Sequence, residues 1–277
     1  MQTILEILNK TTAYFQSRGV PDAKLDAQLL LADVLGCKRL ELFLRFDEPL
    51  TGATLDRCRD FVRRRARREP LQYILGKTDF FGISLKCDSR ALIPRPETEY
   101  LCELLAERFS AAAPQTVLEL GVGTGAVSLA LKNRFPEARV SGVDISEAAL
   151  SLARENAAAL GLDVEFSQSD WFANVSGKFD LIVSNPPYLA DSEVQSAQPE
   201  VRDFEPHNAL RADSDGIADL RKILAAAPKF LNSGGLVACE CGIDHPEKLA
   251  VEFSQVYKKI EPLKDLNGRP RFVFCQM

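Results

Sequence analysis

Apolar residues recur at intervals of three and four positions through residues 1–70, which is the spacing of one buried helix face. This pattern predicts three helices. Their inward residues are Ile4, Leu8, Thr11 and Phe15, then Leu25, Leu29, Leu30, Val34 and Leu35, then Leu55, Cys58, Val62 and Ala66. Pro21 opens the second helix and Gly36 ends it, and Thr51 caps the third. We therefore expect a small helical bundle over residues 1–72.

The pattern changes after residue 72, where short apolar pieces are separated by Gly, Lys and Asp. These pieces are Tyr73–Leu75, Asp79–Ile83 and Ala91–Ile93. Such pieces are typical of a hairpin or an extended linker. We expect residues 73–95 to form a hairpin and linker between two domains.

From Pro96 onward, apolar runs alternate with helical segments, which indicates a mostly parallel sheet covered by helices on both faces. The predicted strands are Thr116–Leu120, Arg139–Asp144, Asp163–Gln168, Phe179–Ser184, Gly235–Glu240, Lys259–Leu263 and Arg271–Cys275. The predicted helices are Gly125–Arg134, Ser146–Leu160, Asp215–Phe230 and His245–Tyr257. Asn267-Gly268 is a hairpin signal between the last two strands. A parallel sheet that ends in an antiparallel hairpin is α/β, and it suits a Rossmann-like class I methyltransferase domain over residues 96–277.

Charge and composition exclude several classes of protein. The chain has 34 Lys and Arg against 39 Asp and Glu, which argues against a protein that coats nucleic acid. No apolar run approaches the roughly 20 residues that cross a bilayer, and no basic region precedes an apolar stretch at the N-terminus. The cysteines are scattered, and His207 and His245 complete no zinc site. We expect a cytoplasmic protein with free thiols and no metal.

A glycine-rich loop follows the first strand of the predicted sheet. Glu119 precedes the loop, which consists of Gly121, Val122, Gly123, Thr124 and Gly125. Glycines let the backbone turn sharply and approach a ligand, although a tight strand-to-helix turn alone also explains them. The loop lacks the spacing that cradles a pyrophosphate, and Glu119 would repel phosphate but attract an amino group. The loop therefore favours S-adenosylmethionine as the ligand.

Two further strand ends carry candidate cofactor contacts. Asp144 follows the second strand roughly twenty residues after the loop, where related folds bind ribose hydroxyls. A helix cap is the alternative role, but Ser146 is better placed for it. Asp170 and Trp171 follow the third strand, where an acid and an aromatic ring suit an adenine. Ordinary core packing explains Trp171 equally well.

The fourth strand ends in Asn185-Pro186-Pro187-Tyr188. Asn185 offers a carbonyl acceptor, and the two prolines fix φ and remove backbone donors. Tyr188 supplies an aromatic face. Two acceptors beside an aromatic face recognise a planar NH₂ group, either an amide or an exocyclic base amine. A simple proline turn is the alternative interpretation.

Several stretches of the chain resemble the bacterial peptide chain release factor glutamine methyltransferases. They are Glu69–Gly76, Phe80–Gly82, Leu92–Glu99, Asn185–Tyr188, Phe204–Pro206, Ala209–Leu210 and Asp215–Gly216. The resemblance covers nearly the whole chain. Cys241 and the Asp265–Arg269 hairpin depart from the family pattern, and both lie outside the proposed catalytic loop.

The resemblance implies a function and a site. S-Adenosyl-L-methionine, with S-adenosyl-L-homocysteine as its product, would be held by Gly121 through Gly125, Asp144, Trp171 and Asn185. Asn185, Pro186, Pro187 and Tyr188 would hold the substrate, and Asn185, Pro186 and Tyr188 would be catalytic. The substrate would be the side-chain amide of the glutamine in the Gly-Gly-Gln loop of a release factor, so that protein methylation supports translation termination. We expect a monomer with release factors as partners, and no membrane or stable nucleic-acid partner.

Two alternatives stay open at this point. Arg63–Arg68 is a basic cluster of the kind that contacts phosphates, which would suit a methyltransferase acting on adenine amino groups in nucleic acid. A solvated helix face or a docking surface for an acidic protein also explains it, and the acidic charge balance favours these. A nucleoside-binding protein without chemistry is the second alternative, but it would not need the acceptors at Asn185 and Pro186.

Overall fold

A computed structural model describes residues 2–212 and 216–277 of the chain. The α-helices are α1 (Ile4–Ser17), α2 (Ala23–Val34), α3 (Gly52–Ala66), α4 (Leu71–Leu75), α5 (Pro96–Arg108), α6 (Ala126–Arg134), α7 (Glu147–Leu160), α8 (Asp191–Ser196), α9 (Pro199–Phe204), α10 (Ala218–Ala226) and α11 (His245–Glu252). The strands are β1 (Lys77–Phe80), β2 (Ile83–Lys86), β3 (Thr116–Leu120), β4 (Arg139–Asp144), β5 (Glu165–Gln168), β6 (Phe179–Ser184), β7 (Leu231–Glu240), β8 (Lys259–Lys264) and β9 (Pro270–Gln276). Short 3₁₀ helices cover Arg39–Leu44, His207–Ala209 and Ala227–Lys229.

The chain divides into two compact units. The first comprises Met1–Gly76 and Gln198–Phe204, and the second comprises Lys77–Ala197 and Glu205–Met277. Residues 198–204 therefore pack with the helical unit, although the sequence pattern assigns them to the domain over residues 96–277. The predicted boundaries at 72 and 95 stay a prediction.

The first unit contains the three predicted helices. Their apolar faces enclose a core that includes Phe15, Leu30 and Leu31. The prediction that Leu25 faces inward is wrong, because its side chain is 42% exposed. The buried stripe of α2 begins at Ala23, and at about 100° per residue Leu25 lies on the opposite side of the helix. Thr51 occupies the position before α3 but makes no capping hydrogen bond.

The predicted hairpin between the bundle and the sheet is present as the antiparallel pair β1 and β2. Phe81 and Gly82 connect these strands with φ angles of 45° and 78°. Positive φ at both central residues matches the right-handed twist of a hairpin. Just before it, the apolar piece at Tyr73 belongs to the one-turn helix α4, which ends at Gly76 with φ 71°.

The second unit is built on a seven-stranded sheet with the order β5-β4-β3-β6-β7-β9-β8. The strands β3 to β7 are parallel, and β9 runs antiparallel to both of its neighbours. This is the predicted α/β fold with a terminal hairpin. Leu181 and Val183 of β6 pack into one core cluster and Ile182 into another, so both faces of the sheet are buried.

Several predicted bounds in this unit differ from the structure. β5 starts at Glu165 rather than Asp163, and α11 ends at Glu252 rather than Tyr257. The helix predicted from Asp215 to Phe230 is α-helical only as α10, and Asp215 lies outside the described residues. Pro228 has no N–H to continue the α-helical pattern, which accounts for the change to a 3₁₀ turn after residue 226. The described part of the chain contains no helix that is both long and apolar enough to cross a membrane.

Strand register determines where the functional candidates meet. Leu120 pairs with Val143 on one side and with Ser184 on the other, and Ser184 pairs with Cys239. The residues that follow these pairs come from four neighbouring parallel strands at one edge of the sheet. They are Gly121, Asp144, Asn185 and Glu240. The helix α5, which the sequence pattern did not predict, begins with Pro96 in its first turn, a position that suits proline.

Candidate functional site

A cleft of about 410 Å³ opens at this edge of the sheet, within the usual size range of small-ligand sites. Most of the predicted site residues line it: Gly121, Val122, Gly123, Thr124, Asp144, Trp171, Asn185 and Pro187. Gly125, Pro186 and Tyr188 are not among the described residues that line the cleft. The structure thus brings the glycine loop and the ends of β4 and β6 to one cavity.

The glycine loop depends on conformations that side chains rarely adopt. Gly121, Gly123 and Gly125 have φ angles of 77°, 55° and 83°. A Cβ on Gly125 would lie 3.1 Å from Leu129 Cδ1 and 3.2 Å from the Cβ of Ala153. Gly125 therefore allows α6 to begin close against α7, and the other two glycines turn the backbone along the cleft.

Asp144 ties the end of β4 to the glycine loop. Its Oδ2 accepts from the Gly123 N–H at 2.9 Å, and its Oδ1 accepts from the Ser146 N–H at 2.8 Å. Burial raises the pKa of Asp144, and these backbone hydrogen bonds act against that rise. Each carboxylate oxygen keeps acceptor capacity for a ligand hydroxyl. Ser146 caps α7 through its hydroxyl, which accepts from the Ala149 N–H at 3.2 Å, so the predicted division of roles between Asp144 and Ser146 fits the geometry.

Glu119 lines the cleft and is only 3% exposed. Its Oε2 accepts from the Ser128 N–H at 2.8 Å and also from the Ser128 hydroxyl. Burial raises the pKa of Glu119 to about 8. A cationic ligand amine beside it would favour the charged form. The prediction that Glu119 attracts an amino group stays a prediction.

Trp171 lies where both of its proposed roles are possible. Its ring is partly buried against a core cluster of the second unit, and it also lines the cleft. A Cβ built on Gly121 would lie 3.8 Å from the ring atom Cζ3, so Gly121 lies against the indole. The Trp171 backbone, after β5, has a φ of 48°, which is uncommon for a bulky residue. Asp170 lines the cleft beside it.

Asn185 is held by a chain of side-chain hydrogen bonds. Its Nδ2 donates to Thr98 Oγ1 at 2.9 Å, and the Thr98 hydroxyl donates to Glu240 Oε2 at 2.7 Å. No partner of Asn185 Oδ1 is found among residues 2–212 and 216–277. The amide is therefore anchored through its nitrogen, and its carbonyl oxygen is available as an acceptor.

Tyr188 is held by the same carboxylate. Its hydroxyl donates to Glu240 Oε1 at 2.9 Å, and the Arg271 guanidinium carbon lies 5.6 Å from its ring centroid. Burial raises the pKa of Tyr188, and the charge of Glu240 raises it further. The sequence pattern assigned this ring a stacking role, and the structure adds that Arg271 covers the ring at cation–π distance.

Sequence reasoning did not single out Thr98 and Glu240 as site residues. Thr98 lies in the first turn of α5, and Glu240 is the last residue of β7. The available signal was an acidic residue, Glu240, that directly follows the apolar run Leu236–Cys239. Only the fold brings both side chains to Asn185.

Three arginines of the cluster, Arg64, Arg65 and Arg68, are paired with carboxylates within the helical unit. Arg65 is 5% exposed and contacts Asp26 at 2.7 Å and Glu200 at 2.8 Å. Arg68 contacts Glu200 at 2.6 Å, and Arg64 forms a hydrogen bond to Glu69 at 2.9 Å. Charges that are already paired are poor phosphate ligands, because binding would have to break the existing pairs.

The remaining sequence expectations concern cysteines and metals. All seven cysteines are free, and every one except Cys37 is buried. Burial raises the pKa of Cys58 to about 11 and that of Cys87 to about 12, so these thiols stay protonated at neutral pH. Within the described ranges, no cluster of three or more His, Cys, Asp and Glu side chains could hold a metal ion.

Comparisons with known proteins cover both units. The family model of the PrmC N-terminal domain matches residues 6–76, and that of the methyltransferase small domain matches residues 97–201. A release factor glutamine methyltransferase of Deinococcus radiodurans is 43% identical over 97% of this chain and 96% of that protein. One from Geobacter sulfurreducens is 41% identical over 98% of this chain and 95% of that protein. The human MTRF1L release factor glutamine methyltransferase is 35% identical over 99% of this chain and 87% of that protein.

Solved structures share the fold at lower identity. The catalytic domain of human Mettl16 is 15% identical with a TM-score of 0.59, over 78% of this chain and 81% of that one. The 16S rRNA N2 G1207 methyltransferase of T. thermophilus, solved with AdoMet and guanosine, is 20% identical with a TM-score of 0.53, over 72% of this chain and 49% of that one. At these identities the likeness supports the methyltransferase fold and says nothing of the substrate.

Proposed function

The chain belongs to the family of release factor glutamine methyltransferases, and from this premise we propose the reaction that it catalyses. It transfers a methyl group from S-adenosyl-L-methionine to the side-chain amide nitrogen of the glutamine in the Gly-Gly-Gln loop of a peptide chain release factor. The reaction takes place in the cytoplasm, needs no metal, and supports translation termination. The relatives with that printed name align with nearly the full chain, including its helical unit.

The observation that carries the proposal is the orientation of Asn185 at the cleft. Its nitrogen is engaged by Thr98, which leaves its carbonyl oxygen to accept from an NH₂ group. A primary amide has two N–H bonds, and the Pro186 backbone carbonyl next to Asn185 would accept the second. An amide nitrogen is a poor nucleophile because its lone pair is delocalised into the carbonyl. Holding both N–H bonds orients that nitrogen, and alignment can supply roughly 7–11 kcal/mol of barrier reduction.

The residues of the cleft fit S-adenosylmethionine. Asp144 would accept from the ribose hydroxyls, Trp171 would cover the adenine, and the loop Gly121–Gly125 would lie against the amino-acid part. Glu119 in the lining of the cleft would face the ligand's ammonium group. When bound, the cofactor supplies an electrophilic methyl group on its sulfonium. The chain itself contributes binding, orientation and exclusion of water.

The helical unit would bind the release factor, and the protein would act as a monomer. The alternative substrate, an adenine in nucleic acid, depended on the arginine cluster. The pairing of Arg64, Arg65 and Arg68 within their own unit favours a protein substrate.

Transfer of labelled methyl groups tests the proposal directly. Purified protein is incubated with labelled S-adenosylmethionine and with release factor, DNA or RNA in parallel. We expect label in the release factor alone, and none after its loop glutamine is replaced by alanine or glutamate, because neither side chain presents an amide NH₂. Label in DNA or RNA, or undiminished label in the altered release factor, would refute the substrate assignment.

Two controls sharpen this test. Asn185→Ala should lower kcat by a hundredfold or more, about 2.7 kcal/mol, and leave cofactor binding measurable. Reactions with chelator should proceed at the same rate. If chelator abolishes activity and zinc restores it, the proposal that no metal takes part is wrong.

A further inference from the structure

The carboxylate of Glu240 is wholly buried at the end of β7, contacts Tyr188 directly and is linked to Asn185 through Thr98. One oxygen accepts from the Thr98 hydroxyl and the other from the Tyr188 hydroxyl. Burial raises the pKa of Glu240, while these two hydrogen bonds and the charge of Arg271 act against that rise. A buried carboxylate is costly unless it is hydrogen-bonded and paired with an opposite charge, and these partners meet that need at Glu240.

The two hydroxyl donors and Arg271 favour the ionised form of Glu240, and in that form the direction of each hydrogen bond is determined. A carboxylate only accepts hydrogen bonds, so the single Thr98 proton must point toward Glu240. The Thr98 oxygen is then left as an acceptor, and among the two ends of the Asn185 amide only the NH₂ can donate to it. The carbonyl oxygen of Asn185 therefore lies at the end of the amide that does not contact Thr98.

We propose that Glu240 and Thr98 are positioning residues that impose the acceptor orientation of Asn185. Glu240 accepts the Thr98 proton, and the Thr98 oxygen accepts from the Asn185 NH₂ group. The Asn185 carbonyl oxygen is thereby presented to the substrate. This inference rests on the proposed function, because only a substrate with an NH₂ group needs an acceptor there. It also gives a reason for specificity, since an inverted Asn185 amide would present NH₂ and favour a carboxylate.

The hydrogen bond from Tyr188 to Glu240 fixes the aromatic residue of the Asn185–Tyr188 loop. Glu240 holds the Tyr188 hydroxyl, and Arg271 lies over the Tyr188 ring. Arg271 is itself anchored by a hydrogen bond from Nη1 to the Cys241 carbonyl at 3.2 Å. One buried carboxylate thus positions both the Asn185 amide, through Thr98, and the Tyr188 ring.

Thr98→Val is the central test, since it keeps the shape of the side chain and removes the hydroxyl. We expect kcat for release factor to fall by about 10- to 100-fold, as for a misplaced reacting group, with S-adenosylmethionine affinity unchanged by calorimetry. Thr98→Ser keeps the hydroxyl and should retain most of the turnover. Thr116→Val is the matched control, because Thr116 also contacts a carboxylate, Asp180, but at the amino end of β3 and outside the cleft lining. Its turnover should equal that of the wild type.

A double variant separates positioning from a general structural effect. If Thr98 acts through Asn185, adding Thr98→Val to Asn185→Ala should cost little further kcat. As a second readout, release factor with glutamate in its loop should compete against the glutamine form more strongly with Thr98→Val than with the wild type. Wild-type turnover by Thr98→Val would overturn the inference. So would a fall in kcat from Thr98→Val that is as large in the Asn185→Ala variant as in the wild type.

Glu240→Leu keeps the test decisive if Thr98→Val does not fold. A leucine side chain accepts from neither hydroxyl, so the Thr98 proton is no longer held away from the Asn185 amide. We expect kcat to fall while cofactor affinity persists, and unchanged kcat would overturn the inference. Wild-type protein that fails to label release factor would instead overturn the proposed function, and the inference with it.

Discussion

Replacement of Asp144 by asparagine tests the cofactor site with the least change of shape. In the native protein the two carboxylate oxygens accept from the Gly123 and Ser146 N–H groups at 2.9 and 2.8 Å. An asparagine amide offers one oxygen, so its NH₂ must face one of these two donors. Either the glycine loop or the start of α7 then loses its acceptor.

The expected magnitude follows from the groups left without partners. A buried polar group without a partner costs roughly 1–3 kcal/mol, and the ligand hydroxyls also lose an acceptor. Part of this cost falls on the unliganded protein and does not weaken binding. We therefore expect Asp144→Asn to weaken S-adenosylmethionine binding by about 1–3 kcal/mol, or roughly 5- to 150-fold in Kd.

Isothermal titration calorimetry with S-adenosylmethionine and S-adenosylhomocysteine measures this loss. Glu147→Gln is the matched control, because it removes the same charge three residues away, on an exposed side chain that pairs with Arg154 and does not line the cleft. Circular dichroism verifies that both variants are folded. A Kd for Asp144→Asn within twofold of the wild type, or an equal loss in Glu147→Gln, would refute the assignment of Asp144 to the cofactor.

Further predictions concern stability. Because burial raises the pKa of Glu119 from its ordinary 4.5 to about 8, the folded state holds a proton that the unfolded state releases, and stability should fall as pH rises from about 5 to 8. Glu119→Gln should flatten this decline in Tm, and parallel profiles would contradict it. Gly142→Ala would place a Cβ 2.5 Å from Val122 Cγ2. We therefore expect the free energy of unfolding in urea to fall by about 1–3 kcal/mol and cofactor binding to weaken. An unchanged free energy of unfolding and an unchanged Kd would show that the glycine loop moves to accept the methyl group. Glu200→Ala leaves the buried Arg65 without one of its carboxylates and should destabilise the helical unit by about 3–5 kcal/mol, measured by denaturation, and a loss below 1 kcal/mol would mean that Asp26 alone suffices.

The sequence by itself determined the fold class and most of the sheet. Strands β3, β4 and β6 have the predicted ends. In β6 the reason is a nearly continuous apolar run, buried on both faces, whose limits are visible in the chain. The hairpin of β8 and β9 followed from the local turn chemistry of Asn267-Gly268. Packing decided the phase of α2, which placed Leu25 outside. The early end of α10 has a local cause, because Pro228 lacks the N–H that would continue the helix.

Some residues of the candidate site could be predicted from the sequence, and others could be found only in the tertiary structure. Gly121, Asp144 and Asn185 could be found from the sequence because the carboxyl ends of neighbouring parallel strands meet at one edge, so position along the chain implies position in space. Thr98 and Glu240 could not, because Thr98 begins a helix far from both strands in sequence and Glu240 ends a strand with no partner nearby in the chain. Their roles depend on hydrogen bonds that span 142 and 87 positions in the Thr98–Glu240 and Thr98–Asn185 pairs, and only tertiary structure determines such contacts. The acceptor orientation of Asn185 is therefore a property of the fold, because nothing in an isolated asparagine decides whether its carbonyl oxygen or its NH₂ group faces a ligand.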